Sequence, residues 1–174
     1  MSAHQTEIRD FEDLFVYGLE AVYDMELKLV DALDEMSETA TNDNLSKGFA
    51  VHRTETETQV QSVEAAFEAL GREPTRRDNR IVDGLLAERE QFDASVTGDT
   101  LLNTYYLNAA MKTERLEISS YEELLMTAEK ANLGADVTEP LRGNLEQESK
   151  TLRKLQALAG GADRRTLWSR LTGT

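Results

Sequence analysis

The chain has no cysteine. That excludes a disulfide framework, thiolate zinc ligation and thiol chemistry. Proline is nearly absent, with 2 in 174 residues, and glycine is sparse at 10. Long stretches of Ala, Glu, Leu, Arg and Thr therefore run uninterrupted, and the composition favours helix. No run of about 18 apolar residues occurs, so no helix is expected to span a membrane. The opening Met1-Ser-Ala-His-Gln-Thr-Glu7 lacks the charged-then-apolar order of a secretory signal, and the expected location is cytoplasmic. His4 reads as part of a disordered tail. One domain over 1–174 with a real core fits the length.

Positive charge is scarce as well. There are 33 acidic residues against 19 basic ones, a net charge of −14, and lysine is a minority among the basic residues. Nucleic-acid binding needs a basic footprint, so no nucleic-acid partner is expected. The one basic cluster, Arg72, Arg76, Arg77 and Arg80, reads as a solvated loop or as salt-bridge partners for an acidic face. A lysine-poor acidic surface suits a protein kept in solution at high salt, where repulsion is screened, and suggests a halophilic source.

What is present is helical periodicity. Apolar residues at 3.6-residue spacing predict long helices over about 7–38, 44–70, 99–131 and 136–159. Shorter helices are predicted over about 81–94 and 163–171, the latter carrying Leu167, Trp168 and Leu171. Gly71 and Pro74 end the second long helix. Gly98-Asp99-Thr100 reads as a break and N-cap. Asp136-Val-Thr-Glu139 reads as a capping-box variant with Pro140 in the first turn. Short turns join the first long helix to the second and the third to the fourth. A long connection containing an extra helix joins the two hairpins. This is the pattern of an all-α, ferritin-like antiparallel four-helix bundle with one long crossover and a short C-terminal helix.

Several carboxylates interrupt the apolar faces at matching heights. Glu26 and Glu55 each lie about 12 residues from the first turn, and Glu117 and Glu148 about 13–14 from the second, roughly 18–20 Å along each helix. One Glu per helix would then converge near mid-bundle. Glu114 and His52 are each one turn away on the same faces, and Gln59 is one turn beyond Glu55. Clustered carboxylates cannot all stay ionised away from water unless cations compensate them. Two divalent ions, iron or manganese, would do so. The alternative for any single Glu is a solvated side chain, or one paired with Arg53, Lys112 or Arg115.

These stretches also carry a resemblance. Leu14-Phe15…Tyr23-Asp-Met-Glu26-Leu-Lys-Leu29, Phe49-Ala-Val-His52-Arg-Thr-Glu55-Thr-Glu-Thr-Gln59-Val60, Glu114-Arg-Leu-Glu117-Ile-Ser-Ser-Tyr121 and Leu145-Glu-Gln-Glu148…Leu155-Gln-Ala-Leu-Ala159 resemble the YciF/YciE-like branch of the ferritin-like superfamily. The resemblance spans about residues 11–159 and implies a stress-associated ferritin-like bundle, a dinuclear metal site and a dimer. Its matching polar positions are Glu26, His52, Glu55, Glu114, Glu117 and Glu148. Thr54, Arg115, Gln147 and Leu152 depart from residues common in relatives. Glu-x-x-His is absent, and the core histidine precedes its Glu as His52-x-x-Glu55.

Two functions follow as expectations. The first is a di-iron or di-manganese carboxylate protein that oxidises Fe(II) or reduces oxygen or peroxide. In it Glu55 with Glu117 or Glu114 would bridge or cap the pair, Glu26 and Glu148 would be terminal, and His52 would be a ligand or its partner. The second is a non-catalytic helical dimer or larger homo-oligomer in stress physiology, its polar core fixing register. A DNA-protecting role is disfavoured by charge. Tyr23, Tyr106 and Tyr121 lie near the same level and are expected to pack with hydrogen-bonded hydroxyls.

Overall fold

The computed structural model describes residues 7–160. The expected helix over 163–171 lies outside the described residues. Helices α1 (Phe11–Thr39), α2 (Asp43–Ala69), α4 (Asp99–Lys130) and α5 (Ala135–Gly160) form the bundle, and α3 (Arg80–Asp93) lies in the crossover. The chain is an all-α four-helix bundle of the ferritin-like kind. Each helix packs against two others, α1 on α2 and α4, and α5 on α2 and α4. Side-chain pairs fix the directions. Lys130 near the end of α4 lies over the Phe11 ring that opens α1. Leu155 of α5 packs with Leu45 and Phe49 near the start of α2. All four adjacent pairs are therefore antiparallel, and α2 and α4 run the same way. That arrangement requires the α2–α4 connection to travel the length of the bundle.

Local chemistry sets the ends. Asp10 caps α1 by accepting from the Asp13 N–H at 2.8 Å, so the helix starts at Phe11 rather than near Glu7, and Ile8 is exposed. Asn42 accepts from the Asn44 and Leu45 N–H groups at the start of α2. Gly71, at φ 68, follows α2, with the Arg72 N–H closing on the Phe67 carbonyl at 3.0 Å. Asn132, at φ 54, does the same after α4. Two expected caps differ. Gly98, at φ 112, is itself the N-cap of α4, and Asp99 is the first helical residue. Helix α5 begins at Ala135, its first turn closed on the Gly134 carbonyl, which moves Pro140 into the second turn.

The core divides in two. Phe15, Leu19, Val22, Val63, Phe67, Leu124 and Leu141 fill the end near the start of α1. Leu33, Met36, Leu45, Phe49, Leu102 and Tyr106 fill the other. Each fully buried side chain of this size stabilises the fold by about 1.5–3 kcal/mol. Between the two apolar blocks lies a polar layer.

The crossover is held on α1 by Asp24, which is 1% exposed. Its carboxylate accepts from Lys28 Nζ (2.6 Å), Arg76 (3.0 and 2.9 Å) and the Asn79 N–H (2.9 Å). Asn79 also caps α3 and donates to the Ala21 carbonyl. Arg77 donates to the Tyr17 carbonyl and lies 3.5 Å from that ring's centroid. Much of the basic cluster is thus engaged with α1. Burial opposes ionisation of Asp24, but Lys28, the Asn79 N–H and Arg76 together hold its pKa below the ordinary value. A depressed carboxylate contributes stability above its unfolded pKa and loses it as pH falls through the folded one. Asp24→Asn should therefore cost about 1–2 kcal/mol in urea unfolding at pH 7 and less near pH 3, below the ordinary 3.8, where that advantage is being lost. An equal cost at both pH values would contradict this.

Candidate metal centre

The polar layer is built from four helices. Glu26 on α1, Glu114 and Glu117 on α4 and Glu148 on α5 are each no more than 1% exposed. Helix α2 contributes His52, Thr56 and Gln59. One ligand atom from each of His52, Glu114, Glu117 and Glu148 lies within 4.8 Å of the others. Glu26 stands just outside that set but faces the same charges.

The hydrogen bonds divide the carboxylates by role. Tyr121 Oη donates to Glu26 Oε1. The direction is dictated by Asn144, whose Nδ2 donates to Tyr121 Oη at 2.9 Å and to the Gln59 carbonyl at 3.1 Å, leaving the phenol proton to Glu26. Gln59 Nε2 likewise donates to Glu148 Oε1. Each of these two carboxylates has one oxygen capped by a neutral donor and one, Oε2, without a hydrogen-bond partner. Glu114 Oε1 pairs with His52 Nε2 at 2.9 Å, and its Oε2 is unpartnered. Both oxygens of Glu117 lack partners. Buried groups of this kind nearly always find partners. Five carboxylate oxygens without one, in a single buried layer, form with His52 an oxygen-rich donor set with a single nitrogen.

The electrostatics of the bare site are severe. Burial, then the carboxylates of Glu148, Glu26 and Glu114, push Glu117 well above the carboxylate range. Burial drives Glu26 up to about 7, against the Tyr121 hydrogen bond. Burial, then the adjacent Glu114 carboxylate, raise Glu148 to about 10. Burial disfavours the His52 imidazolium, but Glu114 and Glu55 outweigh it and raise the pKa to about 10. The Tyr121 hydroxyl is pushed well above 10 by burial and by Glu26.

Five of the six residues anticipated from sequence meet here, and Glu55 does not. Its side chain is 30% exposed and its nearest oxygen is 3.7 Å from His52 Nδ1. Three residues along a helix turn a side chain about 60° away from His52. Glu55 thus faces Lys150 and Lys154 of α5, and His52 first, with Lys154, holds its pKa low. Helix α2 presents His52, not a carboxylate, and α4 presents two. Asn144 went unread in the sequence, although it lies one turn before Glu148. Of the three tyrosines, all hydrogen-bonded, only Tyr121 touches the site. Tyr23 binds Glu64 and Tyr106 binds Asp93. A cavity of about 40 Å³ abuts His52, Glu114 and Glu117 beneath α3, room enough for a water-sized guest.

Comparison with known proteins agrees with the architecture. Protein YciF of Escherichia coli strain K12 is 28% identical over 153 residues, 87% of this chain and 92% of its own. YcfI of Rhodopseudomonas palustris, described as a candidate structural protein, has a structure matching at TM-score 0.84 and 30% identity, over 88% of this chain and 98% of its own. The crystal structure of the E. coli stress protein YciF matches at TM-score 0.82 and 24% identity, over 96% and 100%. Residues 10–167 match the family model described as a domain of unknown function, DUF892, and the chain belongs to that family.

Proposed function

We propose that the protein is a cytoplasmic, stress-associated carboxylate metalloprotein whose mid-bundle layer holds a pair of iron or manganese ions. One observation carries the reading, the five unpartnered buried oxygens of Glu26, Glu114, Glu117 and Glu148. Leaving such charges bare costs several kcal/mol each, and divalent cations remove that cost. The donor set fits hard or borderline ions: carboxylate oxygens, one imidazole and no sulfur. Glu117 would help hold the ions, both of its oxygens being free to serve as donors. Glu26 and Glu148, each capped on one oxygen, are suited to bind through the other. Glu114 and His52 complete the set. When bound, such a pair supplies one-electron redox chemistry toward Fe(II), oxygen or peroxide. The chain's own part is to orient the carboxylates through Tyr121, Asn144 and Gln59, and to exclude bulk water with the two apolar blocks.

The test is metal content after anaerobic reconstitution with Fe(II) or Mn(II). About two ions per chain are expected. They should be lost in Glu117→Ala and Glu148→Ala and kept in Glu55→Ala. Protein that takes up no metal would refute the proposal.

A second reading is favoured by the adjacency of the Glu148 and Glu114 carboxylates, which a shared proton would tie to one another. The layer would then be a metal-free polar network that fixes helix register, as the description of YcfI as a candidate structural protein would suit. The same metal analysis separates the two. Under either reading the chain is taken as a homodimer or larger homo-oligomer. Phe11, Leu14 and Tyr17 expose an apolar edge along α1 that would suit such contact, and sedimentation showing only monomer would remove that element.

A further inference from the structure

A second cavity opens on the α2–α5 side of the bundle, with a volume of about 490 Å³. That lies within the roughly 300–1,000 Å³ common for small-molecule sites. Its walls are apolar, from Leu45 and Phe49 on α2, Leu107 on α4 and Leu155 on α5. Val51 and Leu158 line it as well and are 60% and 47% exposed. Lys47 and Lys154, exposed on α2 and α5, complete the lining, on a chain with 33 acidic residues. Among the described residues the one acidic lining residue is Glu55, already paired by His52 and facing Lys154. His52 lines this cavity and the small one beside Glu114 and Glu117.

A path for metal cations would be lined with carboxylates, and this one offers two ammonium groups around an apolar slot. We propose that the groove binds a free medium-chain carboxylate, its head group at Lys47 and Lys154 and its alkyl chain running inward toward His52. Charge complementarity selects the anion, and the apolar walls select its chain. The assignment stands on the groove alone and does not require a metal in the polar layer.

The probe is sodium decanoate below its micellar concentration, titrated calorimetrically into the metal-free full-length chain. Saturable binding near one per chain is expected. Decanol, with the same chain and no charge, should bind about tenfold more weakly. Gly48 lines the groove, and a Cβ there meets nothing within 4 Å. Gly48→Leu, whose Cβ has open space, should therefore project into the slot, improve helix propensity and weaken decanoate by at least about tenfold. Its circular dichroism should match the parent and its melting point should be no lower. Absence of saturable binding would overturn the proposal, as would equal affinity for decanol or for Gly48→Leu. Absent binding with a blue-shifted emission from Trp168, the sole tryptophan, would assign the groove to the chain's own C-terminal residues and overturn it too. None of these outcomes bears on metal content, so the two proposals fail separately.

Discussion

Anaerobic loading of chelator-treated protein with Fe(II) or Mn(II) is expected to raise its thermal midpoint by about 5–10 °C at pH 7. The size follows from linkage. A ligand that binds only the native state, present at a hundred times its dissociation constant, contributes about 2.7 kcal/mol. In a domain of this length each kcal/mol shifts the midpoint by about 2–4 °C. The mechanism is specific to the polar layer. Without cations, Glu117 and Glu148 remain ionised only against desolvation and one another's fields. A cation converts that repulsion into attraction. Glu117→Ala should abolish the shift, whereas Glu55→Ala should keep most of it. A midpoint that does not move with either metal, or moves equally in Glu117→Ala, would show that any binding occurs elsewhere. Differential scanning calorimetry with and without chelator is sufficient.

The bundle was legible because its signals are redundant. Each long helix carries at least five apolar positions in phase, and only a ferritin-like crossover reconciles two short turns with one long connection. Heights along the helices were legible too, since residues convert to distance at 1.5 Å each. That is why Glu26, Glu117 and Glu148 meet as expected. Azimuth was not. Between Phe49 and Val60 the core face of α2 is formed by His52, Thr56 and Gln59, so no apolar marker fixes the rotation of that segment. Glu55 and His52 were indistinguishable there, and the structure resolves them by burial. Asp24 was hidden for a different reason. Two of its partners, Arg76 and Asn79, lie 52 and 55 residues away in the crossover, and a loop path has no periodicity from which to place them. Asn144 was findable, one turn before Glu148 on a face that already carried a buried carboxylate.

Replacing Glu117 by methionine should stabilise the metal-free protein while destroying the site. Glu117 has two buried oxygens and no hydrogen-bond partner for either. Removing an uncompensated buried acid in favour of a flexible apolar side chain of similar length is commonly worth about 1–4 kcal/mol, or roughly 2–16 °C in midpoint at pH 8. The gain should depend on pH in one direction. Glu117, Glu148 and Glu26 all have folded pKa values raised above the ordinary 4.5, the last two to about 10 and about 7. A raised carboxylate contributes stability that is complete below its unfolded pKa and is lost as pH climbs through the folded one. Metal-free wild type should therefore weaken progressively from about pH 4.5 to about pH 10. Glu117→Met should weaken less, because one buried acid is gone and Glu148 and Glu26 each lose a like-charged neighbour. The two melting curves should converge toward pH 5 and diverge toward pH 9. Metal should erase the alkaline loss in wild type and leave the variant unchanged. Destabilisation of the metal-free protein by Glu117→Met at pH 8 would mean that Glu117 is satisfied in solution by partners other than a cation, and the case for a metal centre would lose its main support.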